Sequence, residues 1–553
     1  MRIARRLRWH LAARTTHTLR LRGAFTNFGR FSRSFCTAER KDNEYGKSLR
    51  VFNSLTGRME PFSVRRQTSS QNTCGNGDGT KSDSDCPVRW YSCGPTVYDS
   101  AHLGHARAYV SLDIIHRLMR DMFGFDMMFA LGMTDVDDKI ITRAEQEQCD
   151  PRQLARRFED EFLEDLEELN VLPPCVILRV SEHIDDIIKY ISTIKEAGCA
   201  YQSGGDVYFD VLEFNKHRAS EYGKMGPPSA HMVDGELTDA NNNLQGTHTA
   251  VKRDARDFAL WKASKGEPAS VSWPSPWGPG RPGWHIECSA LSHAALGPYL
   301  DLHTGGIDLK FPHHCNEIAQ SEAYNHHCAD GNCTASPEWV NYFMHCGHLH
   351  IEGRKMSKSL KNFISVREFL DENCADSFRV FCLLHRYRSN ITYSPDRIED
   401  AKAVMLRLDN FFHDVQHFLA VHRSPTAEVE VLKRWQQPEL ELQDTFNSHR
   451  SGIRHALASD FDTPLAMKHL LDLTRAVSGF VTQQQHGGGL ELVDGIQDYV
   501  SSLLSICGLR RWKVGATERA EASDQSLEAL LEVRTGQDSV TRRLGGHYVY
   551  ISN

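Results

Sequence analysis

One stretch limits the possible folds more than any other. Val88 to Ser92 reads as a strand that ends at Cys93-Gly94-Pro95. His102-Leu103-Gly104-His105 follows and opens a helix in which Val110, Ile114, Leu118 and Met122 recur every four residues until Gly124 stops it. Met127 to Leu131 is then a continuous apolar run, fit for a buried parallel strand. Strand, helix and strand, with a site at the C-terminal end of the first strand, predict a doubly wound α/β sheet. Two histidines at i and i+3 on the opening turn of a helix can reach a phosphate bound at its N-terminus.

A second motif lies far downstream. Arg354 to Ser359 reads RKMSKS, and its two lysines, Lys355 and Lys358, can neutralise the other end of a triphosphate. Cys93, Cys288, His313 and Glu317 are widely separated, and the sequence alone does not join them. His313 and Glu317 are nevertheless i and i+4 in FPHHCNEIAQ, so on a helix they share a face and can chelate one ion. Thiolate, imidazole and carboxylate suit zinc.

A His-x-Gly-His string alone is a weak signal. HLGH and KMSKS together, in this order, resemble the signature pair of class I aminoacyl-tRNA synthetases. YSCGPTVYD, GRPGWHIECSA and FPHH-x-NEIAQSEA are similar, almost residue for residue, to cysteinyl-tRNA synthetases. The resemblance covers about residues 49–66 and 86–510. It implies one zinc ion per chain on Cys93, Cys288, His313 and Glu317, with Mg²⁺ accompanying ATP. His102, His105, Lys355 and Lys358 are the implied catalytic and ATP-binding residues. Gly94, Thr134 and Trp284 are implied to line the cysteine pocket. Gly305, Gly306 and Asp308, in HTGGID, are implied to approach the adenosine.

The implied reaction joins L-cysteine to ATP as an adenylate and passes it to the terminal 2′-hydroxyl of tRNA(Cys). Serine differs from cysteine by one atom, and a hydrophobic pocket discriminates differences of methylene size by only about 10–200-fold. A metal that binds a thiolate directly does better, so no editing domain is expected. Pyridoxal phosphate on lysines of a KIIK motif and of KMSKS is implied for a minor persulfide-forming activity. Here the first motif reads Lys139-Ile140-Ile141-Thr142, one lysine short.

The fold implied is α/β: a class I synthetase Rossmann-type catalytic domain with an inserted domain, followed by an all-α C-terminal domain of the anticodon-binding type. The expected organisation is a targeting peptide over 1–38 and a first catalytic half over 45–185, with a polar insertion at 67–85. An inserted domain over 186–277 comes next, then a second catalytic half over 278–345. A KMSKS and stem-contact region spans 346–400, a helical domain 401–512 and a divergent tail 513–553. GWHIEC is expected on the strand that restarts the α/β half. Arg386, Arg388, Arg397, Lys433 and Arg434 are candidate phosphate contacts.

Three departures from the family pattern stand out. Cys315 replaces the usual glutamate, Gly132-Met133 replaces Asn-Ile/Val before Thr134, and the family's basic C-terminal pattern is missing. HHCADGNC (His326–Cys333) is expected to be a loop rather than a second zinc site.

Charge separates the first 38 residues from the rest. They hold nine arginines and no acidic residue, the mark of a mitochondrial presequence, with removal expected near Arg33–Phe35 and the mature chain in the matrix. The net charge of −8 therefore becomes about −17 beyond them, which argues against bulk attraction to nucleic acid. Most of the fifteen cysteines are expected as free thiols. No run of apolar residues is long enough to span a membrane. The expected state is a monomer or homodimer. Other readings are a ligase joining cysteine to an amino-sugar, a nucleotidyltransferase and an RNA-binding protein. The helical region after 400 and the intact motif set argue against them.

Overall fold

Leu49 and the residues after it form a hairpin. Strand β1 (Arg50–Asn53) pairs antiparallel with β2 (Arg58–Pro61), and Gly57 turns the corner at φ +69°, a conformation that strains residues with a Cβ. Asn53 stitches the hairpin to the central sheet, giving Nδ2 to Asn341 O at 2.9 Å and accepting from Phe343 N at 3.1 Å. This computed structural model describes residues 49–65, 86–216, 222–226, 252–325, 338–351, 354–355, 363–423, 435–483, 488–512, 539–544 and 547–552. The expected presequence, the 67–85 insertion, His326–Cys333, Lys358, Lys433 and Arg434 lie outside the described residues.

Strands β3 (Val88–Ser92), β4 (Met127–Met133) and β5 (Val176–Arg179) run parallel and step outward in one direction. The chain then leaves to build β6 (Ala200–Ser203), β7 (Asp206–Phe209), β8 (Phe258–Ala263) and β9 (Gly280–Pro282), an antiparallel sheet in that order. It returns on the far side of β3 as β10 (Leu300–Gly306) and β11 (Val340–Cys346). The order across the parallel sheet is β11-β10-β3-β4-β5. The strand order reverses between β3 and β10. The loops leaving their carboxyl ends diverge there and open the crevice in which such sheets bind ligands. Cys93 N donates to Thr304 O at 3.2 Å, and Trp90 Nε1 donates to Thr304 Oγ1 at 2.8 Å, so the two strand ends are held together.

GWHIEC is not on a strand. Cys288 lies on the helix Trp284–Leu296, which starts directly after β9. WHIECSALSHAAL is buried on most sides, so it shows no clean amphipathic period, and short apolar runs of that kind read equally as strand or helix. Gly283 decides the local geometry: a Cβ there would stand 2.0 Å from Ala259 O, so only glycine lets the helix start against β8. His313 precedes the regular helix Cys315–Asn325, in a tight irregular turn over Lys310–His314.

Strands β12 (Leu349–Ile351), β13 (Arg354–Lys355) and β14 (Ile391–Tyr393) make a small sheet that carries the start of the RKMSKS run. The helical region begins at Pro395, ahead of the expected 401. Ser394 caps it by accepting from Arg397 N, and proline takes the first turn, where its missing N–H has no cost. Helices Pro395–His422, Gln437–Ala458, Thr463–Gln483 and Leu490–Ile506 pack around one apolar core that continues into the signature helix Leu103–Arg117. In the tail, β15 (Ser539–Leu544) pairs antiparallel with β16 (His547–Ser552). Among the described residues, no helix is long and apolar enough to cross a membrane.

Candidate active site

The carboxyl ends of β3 and β10 bring four distant side chains together. Cys93 follows β3, Cys288 projects from the second turn of its helix, and His313 and Glu317 flank the start of the next. Their ligand atoms all lie within 4.8 Å of one another, and all four residues are buried. The two sulfurs are 3.6 Å apart, His313 Nε2 is 3.0 Å from Glu317 Oε1, and Cys93 Sγ is 3.8 Å from the same oxygen. A tetrahedral zinc with Zn–S of about 2.3 Å sets a sulfur–sulfur edge of about 3.8 Å. The donors therefore already stand near the spacing zinc needs. A disulfide, at about 2.05 Å, is excluded. Cys315 is not in this set. Its buried thiol is pushed up to about 11 by burial, which marks an inert core cysteine.

Charge in the cluster is arranged for a cation. Burial opposes ionisation of Glu317, but His303 and His313 outweigh it and hold the carboxyl at about 2. The hydrogen bond from Cys93 holds Cys288 at about 6 against burial. The Cys93 thiol is driven up by burial first and then by Cys288. His313 shows the other side of the balance. Burial alone would lower it, yet Glu317 and Cys288 raise it to about 10.

Outer partners fix the donors. His303 Nε2 meets Glu317 Oε2 at 2.8 Å, which leaves Oε1 to the cluster. His285 Nδ1 meets His313 Nδ1 at 2.9 Å, so the other nitrogen of His313, Nε2, faces inward. His314 Nε2 is 3.4 Å from Cys93 Sγ, and its Nδ1 is 2.9 Å from His345 Nε2. Burial keeps both of these histidines neutral, His345 at about 3. A thiolate at Cys93 selects the tautomers in which His345 donates to His314 and His314 donates to the sulfur.

The expected pocket residues surround this cluster. The segment after Cys93 pairs with Thr134, since Val97 N donates to Thr134 O at 3.2 Å and Thr134 N to Pro95 O at 3.3 Å. Gly94 is needed there because a Cβ would fall 1.7 Å from Gly132 O. Thr134 Oγ1 donates to Glu287 Oε2 at 2.8 Å. The half-buried Trp284 ring lies 4.4 Å from the His313 ring. Gly305 and Gly306 end β10, and a Cβ on Gly305 would press on the His314 ring at 3.1 Å. Asp308 stands at the exposed rim.

His102 caps the signature helix. Its Nδ1 accepts from His105 N at 3.3 Å, and the two rings stack at 3.9 Å and 8°. Gly104 allows the fold-back, because a Cβ would come within 2.8 Å of His102 Cε1. The chain returns to this point just after residue 362, while Lys355 precedes the segment 356–362. Lys355 lies on β13, the Phe363 ring is 6.4 Å from His102, and Leu103 N donates to Ile364 O at 2.9 Å.

The model of the tRNA synthetases class I (C) catalytic domain matches residues 80–403. A probable mitochondrial cysteine–tRNA ligase of Dictyostelium discoideum is 38% identical over 460 residues, covering 81% of this chain and 75% of that one. The chain belongs to the cysteine–tRNA ligase family. The cytoplasmic cysteine–tRNA ligase of the same organism is 40% identical over 468 residues, and the chain spans 83% of its own length but 65% of that relative's. Among solved structures, Mycobacterium tuberculosis methionyl-tRNA synthetase bound by methionyl-adenylate superimposes with a TM-score of 0.58 at 15% identity, over 76% of this chain and 92% of that one, a likeness of fold.

Membership of the cysteine–tRNA ligase family does not make every expected arginine a phosphate contact. Arg386 is ion-paired with Asp462, and Arg388 with Asp460 at 2.8 Å, while Arg388 also covers the Phe52 ring at 4.5 Å. Both join the catalytic part to the helical region. Arg397 Nη1 lies 3.2 Å from His385 Nε2. His285, His303, His314, His345 and Glu287 were missed as site residues by sequence reasoning. The motifs WHIEC, HTGGID and FPHH contain four of the five, but nothing in the spacing says that they meet.

Proposed function

We propose that this chain activates L-cysteine with ATP and transfers it to tRNA(Cys) in mitochondria, with a zinc ion on Cys93, Cys288, His313 and Glu317 selecting the substrate thiol. The observation that carries the reading is the meeting of these four donors at the point where the strand order reverses. When bound, zinc supplies a soft Lewis acid that takes a thiolate and disfavours a protonated hydroxyl.

The chain's own residues do the rest by positioning and charge. The leading amides of the helix Leu103–Arg117 and the stacked His102 and His105 rings face the phosphates of ATP. Lys355 and Lys358 hold the far phosphates as the cysteine carboxylate attacks the α-phosphorus and pyrophosphate leaves. Gly94 and Thr134 shape one wall of the amino-acid pocket and Trp284 another. Gly305, Gly306 and Asp308 approach the adenosine, and Mg²⁺ accompanies the ATP. The 2′-hydroxyl of the terminal adenosine then displaces AMP.

The acid-free arginine-rich start and the relatives named mitochondrial support the compartment. Lys139 lies 5.8 Å over the Tyr98 ring, and nothing in this placement favours the pyridoxal phosphate side activity.

ATP–pyrophosphate exchange with cysteine and serine side by side, before and after chelation, tests the reading. Cysteine-dependent exchange is expected to fall on metal removal and to return with zinc. Equal use of serine, or full activity in metal-free protein, defeats it. Lys358→Ala is expected to lower kcat for exchange by roughly tenfold or more with little change in cysteine KM. An unchanged kcat removes Lys358 from the mechanism.

A further inference from the structure

Lys355 and Lys358 can hold the far end of a triphosphate only if the RKMSKS run keeps a set distance from His102 and His105. Two routes tie the chain around that run to the signature helix. The route after it is direct: Leu103 N donates to Ile364 O at 2.9 Å, and Val366 N donates to Ala101 O at 3.2 Å. The route before it passes through the small sheet. β13, which carries Lys355, pairs with β12, and β12 pairs with β14. The segment 385–390 joins the helix Ala375–Leu383 to β14, so whatever holds this segment helps to place β13.

Arg107 holds it. This residue lies on the signature helix, one turn beyond Leu103, and is 0% exposed. Nη2 donates to Arg386 O and Tyr387 O, each at 3.0 Å, and to Ser389 O at 3.3 Å. Nη1 donates to Ser111 Oγ at 2.6 Å, and that hydroxyl donates back to Arg107 O at 2.7 Å. Among the described residues these partners are carbonyls and a hydroxyl, so the buried charge faces main-chain dipoles of one turn. The same turn is packed from its other side. Gly347 N donates to Tyr387 O at 2.9 Å, and a Cβ on Gly347 would fall 2.3 Å from Ser389 O. His348 N donates to Asn390 Oδ1 at 2.8 Å, and Ile391 N to His348 O at 2.9 Å. The chain entering β12 and the chain entering β14 therefore both rest on the turn that Arg107 clamps.

We propose that Arg107 is a positioning residue for adenylation, fixing the β12–β13–β14 sheet, and with it the start of RKMSKS, against the phosphate-facing end of the signature helix. The assignment rests on the reading of HLGH and RKMSKS above and involves neither the metal donors nor the cysteine pocket. The guanidinium fork serves Ser111 and three carbonyls at once, which the single ammonium of a lysine does not.

The test is ATP–pyrophosphate exchange by the full chain without tRNA, with active sites counted from the burst of adenylate. Arg107→Gln is expected to lower kcat per site by about tenfold or more, since a misplacement of about 1 Å costs about 100-fold. Zinc content and cysteine KM are expected to stay unchanged. Damage that is only structural lowers the number of active sites and leaves kcat per site alone. Gly347→Ala presses on the same carbonyls without touching Arg107 and is expected to give the same loss per site. It carries the test if Arg107→Gln does not fold. In a chain carrying both Lys355→Ala and Lys358→Ala, adding Arg107→Gln is expected to cost less than about threefold more, because residues that work as a unit are not additive. An unchanged kcat per site in Arg107→Gln, or in Gly347→Ala where Arg107→Gln does not fold, overturns the assignment and leaves the phosphate reading intact. The full loss in the double-lysine background does the same. A normal kcat in the double-lysine variant overturns both.

Discussion

Cys288→Ser is expected to purify with under about a tenth of the parent's zinc and to lose cysteine-dependent ATP–pyrophosphate exchange by more than about 100-fold. Loss of an outer partner alone costs about 10–100-fold in affinity or activity, and loss of a donor exceeds that. The effect is large because Cys288 supplies one of the two sulfur donors of the set, 3.6 Å from the other. A serine hydroxyl at this buried position stays protonated and is a harder, weaker ligand. His313 and Glu317, 3.0 Å apart, then neutralise each other rather than an ion. Cys315→Ser is the control. That thiol is buried, sits outside the donor set and is pushed up to about 11, so its replacement is expected to leave zinc content unchanged. Metal analysis of both proteins decides. Normal zinc and normal exchange in Cys288→Ser would remove Cys93, Cys288, His313 and Glu317 as the centre of the site.

The parts of this site that were legible in the sequence are the parts made by neighbours in sequence. Val88–Ser92 runs straight into Cys93, and HLGH opens its own helix, so local pattern was enough to place them. His313 and Glu317 were readable as a pair from their spacing alone, and they meet even though His313 sits in an irregular turn rather than in the helix. Joining Cys93 to Cys288 needed the family resemblance, because β10 must return beside β3 before the helix carrying Cys288 can reach it. The outer partners were illegible for the same reason. His303 read as part of a glycine turn for adenosine, yet its imidazole contacts Glu317. His345 marked only the expected end of the second catalytic half, yet it supports His314. Arg386 and Arg388 read as candidate phosphate contacts, and only the folded chain shows the carboxylates of Asp462 and Asp460 opposite them. Alternating burial and motif spacing fix what lies within an element. They carry no information about which distant acid or imidazole an element will face.

Arg379→Ala is expected to be the most damaging change away from the pocket, costing about 3–5 kcal/mol, as loss of one partner in a buried ion pair does. Arg379 is 1% exposed, and it binds four acceptors from three parts of the fold. Nη1 donates to Asp113 Oδ2 at 2.6 Å and to Cys507 O at 3.2 Å, and Nη2 donates to Leu169 O and Asn170 O, each at 2.9 Å. Asp113 lies on the helix that begins beside His102, and Cys507 ends the last helix of the helical region. One guanidinium thus fastens the far end of the signature helix to the helical region. Alanine takes one of two guanidinium partners from the buried Asp113 carboxylate and the donor from Leu169 O and Cys507 O, while Arg117 still serves Asp113 and Asn170 O. Urea unfolding is expected to split, with the helical region melting first. The acid response gives the sign of the electrostatic share. Burial alone would raise Asp113, but Arg117 and Arg379 outweigh it and hold the carboxyl below its usual range. Its contribution is therefore complete above about pH 4 and is lost as pH falls through the lower folded value. In Arg379→Ala only Arg117 and Leu172 N remain to Asp113, so its folded value rises toward the ordinary one and the acid-dependent share of stability shrinks. Arg379→Lys keeps the charge without the fork that reaches all four acceptors, and is expected to fall between the two. A single, unshifted urea transition in Arg379→Ala would show that the helical region is held to the signature helix by its apolar core alone.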